Sequence, residues 1–265
     1  MTEGGYAPSR RRAQQMIESG CVTVDGRVIE KPSQSISEGE HCVQVRDMLR
    51  YVGRGGLKLE AALEAFSIDP SGKRALDVGA STGGFTDCLL QNGAAHVCAV
   101  DAGVGQLAEK LRQDARVTSC EHMNARNLML TDIGGERVDL IVMDVSFISA
   151  TYILPRFPDL LSHGGLAVVL IKPQFEVGKS LLGKGGIVKD PRAHRTAVER
   201  VLDAGRTVGL TPIGLIVSPI EGGDGNREFL ACFSYASDES TQESRICNGV
   251  TPEEIGRVTG ARVAL

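Results

Sequence analysis

The chain has 265 residues, of which 42% are hydrophobic and 23% charged, with a formal net charge of −4. This length allows one large domain, or one large and one small, with ample core, and the balance is that of a soluble globular protein. No apolar run approaches membrane-spanning length, and the N-terminal MTEGGYAPSRRR lacks the apolar stretch of a secretory signal. Seven cysteines, an odd number without a C-x-x-C pair, read as reduced thiols of a cytoplasmic protein rather than as disulfides or a zinc site.

Residues 1–46 read as a small separate module. The pattern predicts a helix over Arg10–Glu18, with Ala13, Met16 and Ile17 as its apolar stripe and Gly20 as its stop. Cys21–Val24, the turn pair Asp25-Gly26 and Arg27–Ile29 form a hairpin signal, and a strand is expected over His41–Val45. Arg10, Arg11, Arg12, Arg27 and Lys31 give the module a basic face, although three consecutive arginines alone also suit a solvated helix face. Helix, D-G hairpin and basic residues in this order resemble the RNA-binding fold named after ribosomal protein S-four. That fold ordinarily begins with another helix, and Thr2–Tyr6 matches only its tail, so the module is expected to lack its first helix.

Residues 47–56 read as a polar, glycine-bearing linker, and 57–236 as the main domain. Leu57–Phe66 is helical, with Leu59, Leu63 and Phe66 on the buried stripe and Lys58 off it. Ala75–Val78 suits a buried parallel strand, Gly79–Gly84 (GASTGG) a turn, and Phe85–Leu90 the start of a helix. A ligand here would sit at a strand's carboxyl end beside free helix N–H groups. The second glycine of the dinucleotide fingerprint is missing, and no Gly-Lys-Ser/Thr follows for a phosphate loop. D-V-G-x-x-x-G-G after a strand instead suits S-adenosylmethionine, which presents an amino-acid tail rather than a phosphate. The next strand, His96–Val100, ends in Asp101, an acid able to accept both ribose hydroxyls of that cofactor. An ordinary glycine-rich turn followed by a surface aspartate is the bland alternative.

Arg116–Ser119 is a weak strand followed by Asn124, a polar residue able to reach the cofactor base. Val138–Met143 and Gly165–Ile171 are buried strands that end in Asp144 and Lys172. Val177–Asp190 reads as a mobile loop carrying Lys179, Lys184 and Lys189, and basic residues outnumber acidic ones by eight to four between Lys172 and Arg206. A helix over Arg192–Val208 and strands over Pro212–Val217 and Phe229–Tyr235 complete the domain, and 237–265 reads as a polar tail with one short helix near Pro252–Val258. The alternation implies a mostly parallel, doubly wound α/β sheet whose last strand is antiparallel. No order of strands can be read from it.

Lys58, Asp144, Lys172 and Glu228 all fall at element ends on the side of the glycine loop. A single charge at a strand end is commonplace; two lysines and two acids there suit methylation of a ribose 2′-hydroxyl. That hydroxyl barely ionises near neutral pH, so it needs a positioned base and an aligned methyl donor. Lys172 is the expected base with Asp144 orienting it, while Lys58 and Glu228 position the ribose.

VGRGGLKLEAAL, LDVGASTGGFTDCLLQNGA, VDLIVMDVSF, IKPQFEVG, GKGGIVKD and SPIEGGDGNREFL together resemble the TlyA family, hemolysin-named ribosomal RNA 2′-O-methyltransferases with an FtsJ-like catalytic domain. The resemblance spans roughly Ala7–Tyr235, with Gly53 standing where serine is more usual. It implies a Rossmann-like S-adenosylmethionine-dependent domain of seven strands, and a catalytic tetrad on Lys58, Asp144, Lys172 and Glu228. It also implies cofactor contacts on Gly79, Ala80, Ser81, Thr82, Gly83, Phe85, Asp101 and Asn124, and cytidine 2′-O-methylation in rRNA of both ribosomal subunits. A membrane-active hemolysin and a non-catalytic rRNA-binding assembly factor are the alternatives. The first lacks a membrane segment, and the complete tetrad argues against the second.

Overall fold

The computed structural model describes residues 1–7, 9–18, 21–29, 31–36, 39, 41–45, 50–223, 225–235 and 249–261, with the side chains at 11, 12, 15 and 18 outside that description. The chain divides into two compact units at Arg54/Gly55.

In the first unit, helix α1 (Arg10–Glu18) precedes strands β1 (Val22–Val24), β2 (Arg27–Val28) and β3 (Val43–Val45), which pair antiparallel in the order β2-β1-β3. The hairpin turn puts both Asp25 (φ 51°) and Gly26 (φ 78°) in the left-handed region, as a tight two-residue turn requires. Asp25 also accepts hydrogen bonds from the Cys42 amide at 2.9 Å and from His41 at 2.7 Å, which ties the turn to the segment before β3. Ala13 and Met16 of α1 form a small core with Ala7 and Val22. Residues 1–6 form a turn, with the Tyr6 amide donating to the Met1 carbonyl at 2.9 Å.

The second unit runs, in chain order, α2 (Gly55–Ala65), β4 (Arg74–Val78), α3 (Gly84–Gln91), β5 (His96–Val100), α4 (Glu109–Arg112), β6 (Val117–Cys120), β7 (Val138–Met143), α5 (Phe157–Leu160), β8 (Leu161–Ile171), α6 (Pro173–Glu176), α7 (Pro191–Thr207), β9 (Leu210–Val217), β10 (Phe229–Tyr235) and α8 (Pro252–Thr259). Its seven strands lie in the order β6-β5-β4-β7-β8-β10-β9. Strands β4 to β8 are parallel, and β10 runs antiparallel to both neighbours. Chain order reverses between β4 and β7, and the crevice at that switch point is the usual ligand site of an open α/β sheet. The middle strands are apolar because both faces are covered: every residue of β7 except Asp139 is buried.

Two boundaries differ from expectation. The linker expected over 47–56 gives up Gly55 and Gly56 to α2, where a side chain at 55 would meet Phe85 and Asp144. The polar tail expected over 237–265 is structured over 249–261: Val250, Ile255 and Val258 join the core formed with α7 and β9. Thr251 caps α8 by accepting the Glu254 amide at 3.2 Å, and Arg227 donates to the Val258 carbonyl at 3.0 Å. Only about half of a short amphipathic helix faces the core, here Ile255, Gly256, Val258 and Thr259, so its composition still reads as polar. The rest of that tail, 237–248 and 262–265, lies outside the described residues.

Asp77, fully buried in β4, fixes the glycine loop from beneath. One carboxylate oxygen accepts the Thr86 amide at 2.9 Å and the Thr86 hydroxyl at 2.7 Å; the other has no partner among the described residues. Burial pushes this carboxyl up to about 7, against the pull of the Thr86 hydrogen bonds and with help from the charges of Asp144 and Asp101. A carboxyl raised in the folded state takes up a proton on folding, so its contribution is present at low pH and is lost as pH rises through about 7. Asp77→Asn removes that titration. The melting temperature of wild type relative to this variant is therefore expected to fall between about pH 4 and about pH 7 and to level off above that in thermal melts. A difference that stays flat would mean that the carboxyl is ionised throughout.

Candidate active site

Three adjacent strands deliver three of the four charged residues. In the β8–β10 pair, Ile171 lies opposite Phe229, so Lys172, just after β8, and Glu228, just before β10, leave the sheet side by side. β7 runs parallel to β8 on the other side, and Asp144 follows its last residue. The fourth comes from α2, whose first turn begins at Gly55 against Asp144 and carries Lys58 one turn later.

The four form two ion pairs. Lys58 Nζ lies 2.5 Å from Glu228 Oε2, with side chains only 9% and 2% exposed. Lys172 Nζ lies 2.5 Å from Asp144 Oδ1, with side chains 12% and 21% exposed, and donates to the Ser146 hydroxyl at 2.8 Å. The Lys172–Asp144 approach is a contact of charges outside hydrogen-bonding angles, whereas the bond to Ser146 is aligned. The first pair is sealed in and the second meets solvent.

Beside Asp144 opens a cavity of about 590 Å³, within the roughly 300–1,000 Å³ usual for small-ligand sites. Gly79, Ser81, Asp101, Asn124 and Asp144 supply its polar wall, and Val145, Phe147, Ile148 and Ile153 an apolar one. Gly79 has φ 86°, and a Cβ there would run into the Asp144 carbonyl, so the close approach of the β4 and β7 ends requires glycine. Asp101 accepts the Ser81 amide on one oxygen and the Gly103 amide on the other, both at 2.7 Å. Each oxygen keeps a second lone pair for a ligand. Asn124 uses its side-chain oxygen to accept the Arg126 amide at 3.1 Å, which leaves its NH₂ group for an acceptor.

Of the residues expected at the cofactor, Gly79, Ser81, Asp101 and Asn124 line this cavity. Ala80, Thr82, Gly83 and Phe85 do not. Gly83 caps α3 at φ 95°, where a Cβ would strike Leu111; Phe85 is buried beneath Gly55; Thr82 is exposed and accepts the Ala108 amide; Ala80 lines a narrow recess behind the loop. They shape the loop from outside the cavity.

Sequence reasoning missed Ser146 and Phe147. Phe147 is 92% exposed, holds φ 65° and packs against Phe175 with ring centroids 5.3 Å apart. A non-glycine residue at positive φ is uncommon, and such strain gathers at functional sites. Only the D-V-S-F string after an apolar strand could have signalled it.

Arg10, Arg27 and Lys31 are exposed in the first unit, while the side chains of Arg11 and Arg12 lie outside the described residues. Lys179, Lys184 and Lys189 are exposed in the second. The loop bearing them, expected to be mobile, instead forms two short 3₁₀ turns, Lys179–Leu181 and Lys184–Gly186, and is pinned at its far end. The buried Asn226 accepts the Val188 amide at 2.9 Å and donates to the Gly186 carbonyl at 3.2 Å.

Comparison with known proteins bears on this geometry. The family of FtsJ-like methyltransferases matches residues 51–235, and the S4 domain matches residues 3–42. The 16S/23S rRNA (cytidine-2′-O)-methyltransferase TlyA of Mycobacterium tuberculosis is 45% identical over 237 residues, 89% of this chain and 88% of that protein. Hemolysin A of Brachyspira hyodysenteriae is 41% identical, over 86% of this chain and 95% of its own. A solved structure of a hemolysin-named protein from Streptococcus thermophilus superposes with a TM-score of 0.76 at 39% identity, covering 95% of this chain and 89% of that one. The expectation of a seven-stranded methyltransferase sheet behind an S-four-like module is met, and the chain belongs to the TlyA group of FtsJ-like methyltransferases.

Proposed function

We propose that the protein transfers a methyl group from S-adenosylmethionine to a ribose 2′-hydroxyl, that of cytidine, in small- and large-subunit rRNA. The observation that carries this reading is Lys172 held against Asp144 and Ser146, two residues of the cavity wall. The substrate follows the activity named for the Mycobacterium tuberculosis relative. The S4 domain and the exposed lysines of the 179–189 loop fit an RNA partner. Among the described residues no helix is long and apolar enough to cross a membrane, so nothing in the structure favours the hemolysin reading.

The cavity's residues fit the cofactor. Asp101 offers two free lone pairs to a ribose diol, Asn124 an amide donor to the base, and the backbone around Gly79 room for an amino-acid tail. When bound, S-adenosylmethionine supplies an electrophilic methyl on its sulfonium. Asp144 lies against Lys172 Nζ and Ser146 accepts a hydrogen bond from it, which holds the nitrogen beside the cavity wall. In its neutral form that nitrogen accepts the 2′-hydroxyl proton as the oxygen attacks. The sealed Lys58–Glu228 pair beside it keeps a fixed charge pattern for the ribose. Phe147, exposed at the rim, offers a face on which a nucleobase turned out of its stack can lie.

Purified protein, rRNA and methyl-labelled cofactor test the whole reading. A 2′-O-methyl blocks alkaline cleavage of the neighbouring phosphodiester, so label should remain in alkali-resistant dinucleotides. Label recovered in mononucleotides would place the methyl on a base and overturn the assignment.

Asp101→Ala is expected to weaken cofactor binding by about 1–3 kcal/mol in calorimetry, because hydrogen bonds to a charged acceptor are lost. Unchanged affinity would remove Asp101 from the site. Lys172→Ala is expected to keep cofactor and RNA affinity while methyl transfer falls by about 10²–10⁴, the usual cost of removing a general base. Lys172→Arg should fare little better, since guanidinium stays protonated. Single-turnover rates of wild type should rise with pH, as for any transfer that needs a free base. Near-normal turnover in the arginine variant would make Lys172 a positioning group instead.

A further inference from the structure

Next to the cofactor cavity lies a second cleft of about 500 Å³ that the proposed reaction does not use. Asn124 belongs to both walls, so one begins where the other ends. Apart from Pro155 its lining is polar: Asn124, Arg126, Asn127, Thr151, Tyr152 and Arg156 face it.

The two arginines set this cleft apart. In the same unit Arg112, Arg116, Arg195, Arg206 and Arg257 pair with carboxylates, and Arg74, Arg137, Arg200 and Arg227 donate to backbone carbonyls. Arg126 and Arg156, like the exposed Arg192, have no carboxylate partner among the described residues, but these two share one cleft. The Arg126 guanidinium instead lies 4.9 Å from the centre of the Tyr152 ring. Stacking on an aromatic face holds the plane of the group while its N–H donors, which lie in that plane, stay free.

Both rims are set in advance. On one side Asn124 holds the Arg126 amide. On the other, Ser149 accepts the Thr151 amide at 3.2 Å, and the buried Glu176 grips the base of that turn by accepting the Ser149 hydroxyl at 2.5 Å and the Ala150 amide at 2.7 Å. The 54% exposure of Tyr152 shows that this polar cleft opens to solvent.

We infer that this cleft is an RNA-backbone subsite, which takes a phosphodiester and ribose of the strand flanking the methylated nucleotide. Arg126 and Arg156 meet the phosphate oxygens, for which the planar fork of guanidinium is well matched. Asn127 and Thr151 serve the sugar hydroxyls. The inference rests on the reading of the chain as an rRNA ribose methyltransferase. It adds a contact region apart from the basic residues of the S4 domain and the 179–189 loop.

The test uses the full chain carrying Arg126→Gln and Arg156→Gln together, with an rRNA transcript as the probe. RNA affinity is expected to fall by about tenfold or more at low salt, and the slope of log affinity on log salt to become shallower by roughly one to two, as for two lost phosphate contacts. Cofactor affinity by calorimetry should not move. The KM for RNA should rise while kcat at saturating RNA is retained. Arg126→Lys with Arg156→Lys, which keeps the charge, should recover most of the salt slope, and the single Arg126→Gln and Arg156→Gln variants serve if the glutamine pair fails to fold. RNA affinity and slope equal to wild type in the folded glutamine pair, or in both single variants, would overturn the subsite, and so would a loss confined to cofactor binding. If wild type binds rRNA through this cleft but leaves its riboses unmethylated, the reaction assignment fails and the subsite stands.

Discussion

The site depends on one antiparallel pairing. In a sheet of parallel strands every chain leaves the same edge in the same direction, and all side chains at that edge follow a strand. β10 enters from that edge, so Glu228 precedes its strand and lies beside Lys172, which follows its own. A slip of one residue in this register would turn Glu228 to the other face of the sheet and separate it from Lys58. The packing around it leaves no slack: a side chain at Gly222 would come within 2.5 Å of Glu228 Oε1.

The two ion pairs divide the work by burial. A buried pair seldom gains from its attraction what both charges lose on leaving water, while removing one partner strands the other at a cost of about 3–5 kcal/mol. The Lys58–Glu228 pair, at 9% and 2% exposure, is therefore not accounted for by stability alone, and it resists exchange with solvent. The Lys172–Asp144 pair is close enough to solvent for a substrate to compete for the lysine, and Ser146 gives its nitrogen a second fixed direction. A group that must pass a proton belongs at such a rim. A group that must hold a charge in place belongs beneath it.

Much of this was legible in the sequence because it is local. Apolar runs announced the strands, Gly79 to Gly84 announced the loop, and Asp144 and Lys172 stood out as charges ending buried strands. What stayed hidden depends on residues far apart in the chain. Strand order follows from packing. The start of α2 at Gly55 depends on Phe85 and Asp144, thirty and eighty-nine positions away by residue number. Glu176, read as part of a strand-end motif, is a buried anchor for Ser149 and Ala150, and burial pushes its carboxyl above the usual range despite their hydrogen bonds. No spacing in the sequence foretells such a contact.

The basic loop shows how a local reading misleads. Glycine and lysine content suggests free movement, yet the far end of the loop is fastened from two sides. Asn226 bonds Val188 and Gly186, and the buried His194 donates its Nε2 proton to the Val188 carbonyl at 2.8 Å. Burial pushes His194 below the usual histidine range, which favours the neutral ring, and a neutral ring bonded this way carries its proton on Nε2. Asn226 stands two residues before Glu228, and the Phe229 ring that follows meets the His194 ring edge-on at 5.5 Å. One short segment thus fixes both the end of the lysine-bearing loop and the acid of the sealed pair. Held at its far end by the side chains of Asn226 and His194, the loop still presents Lys179, Lys184 and Lys189 to solvent, where a polyanion can meet them.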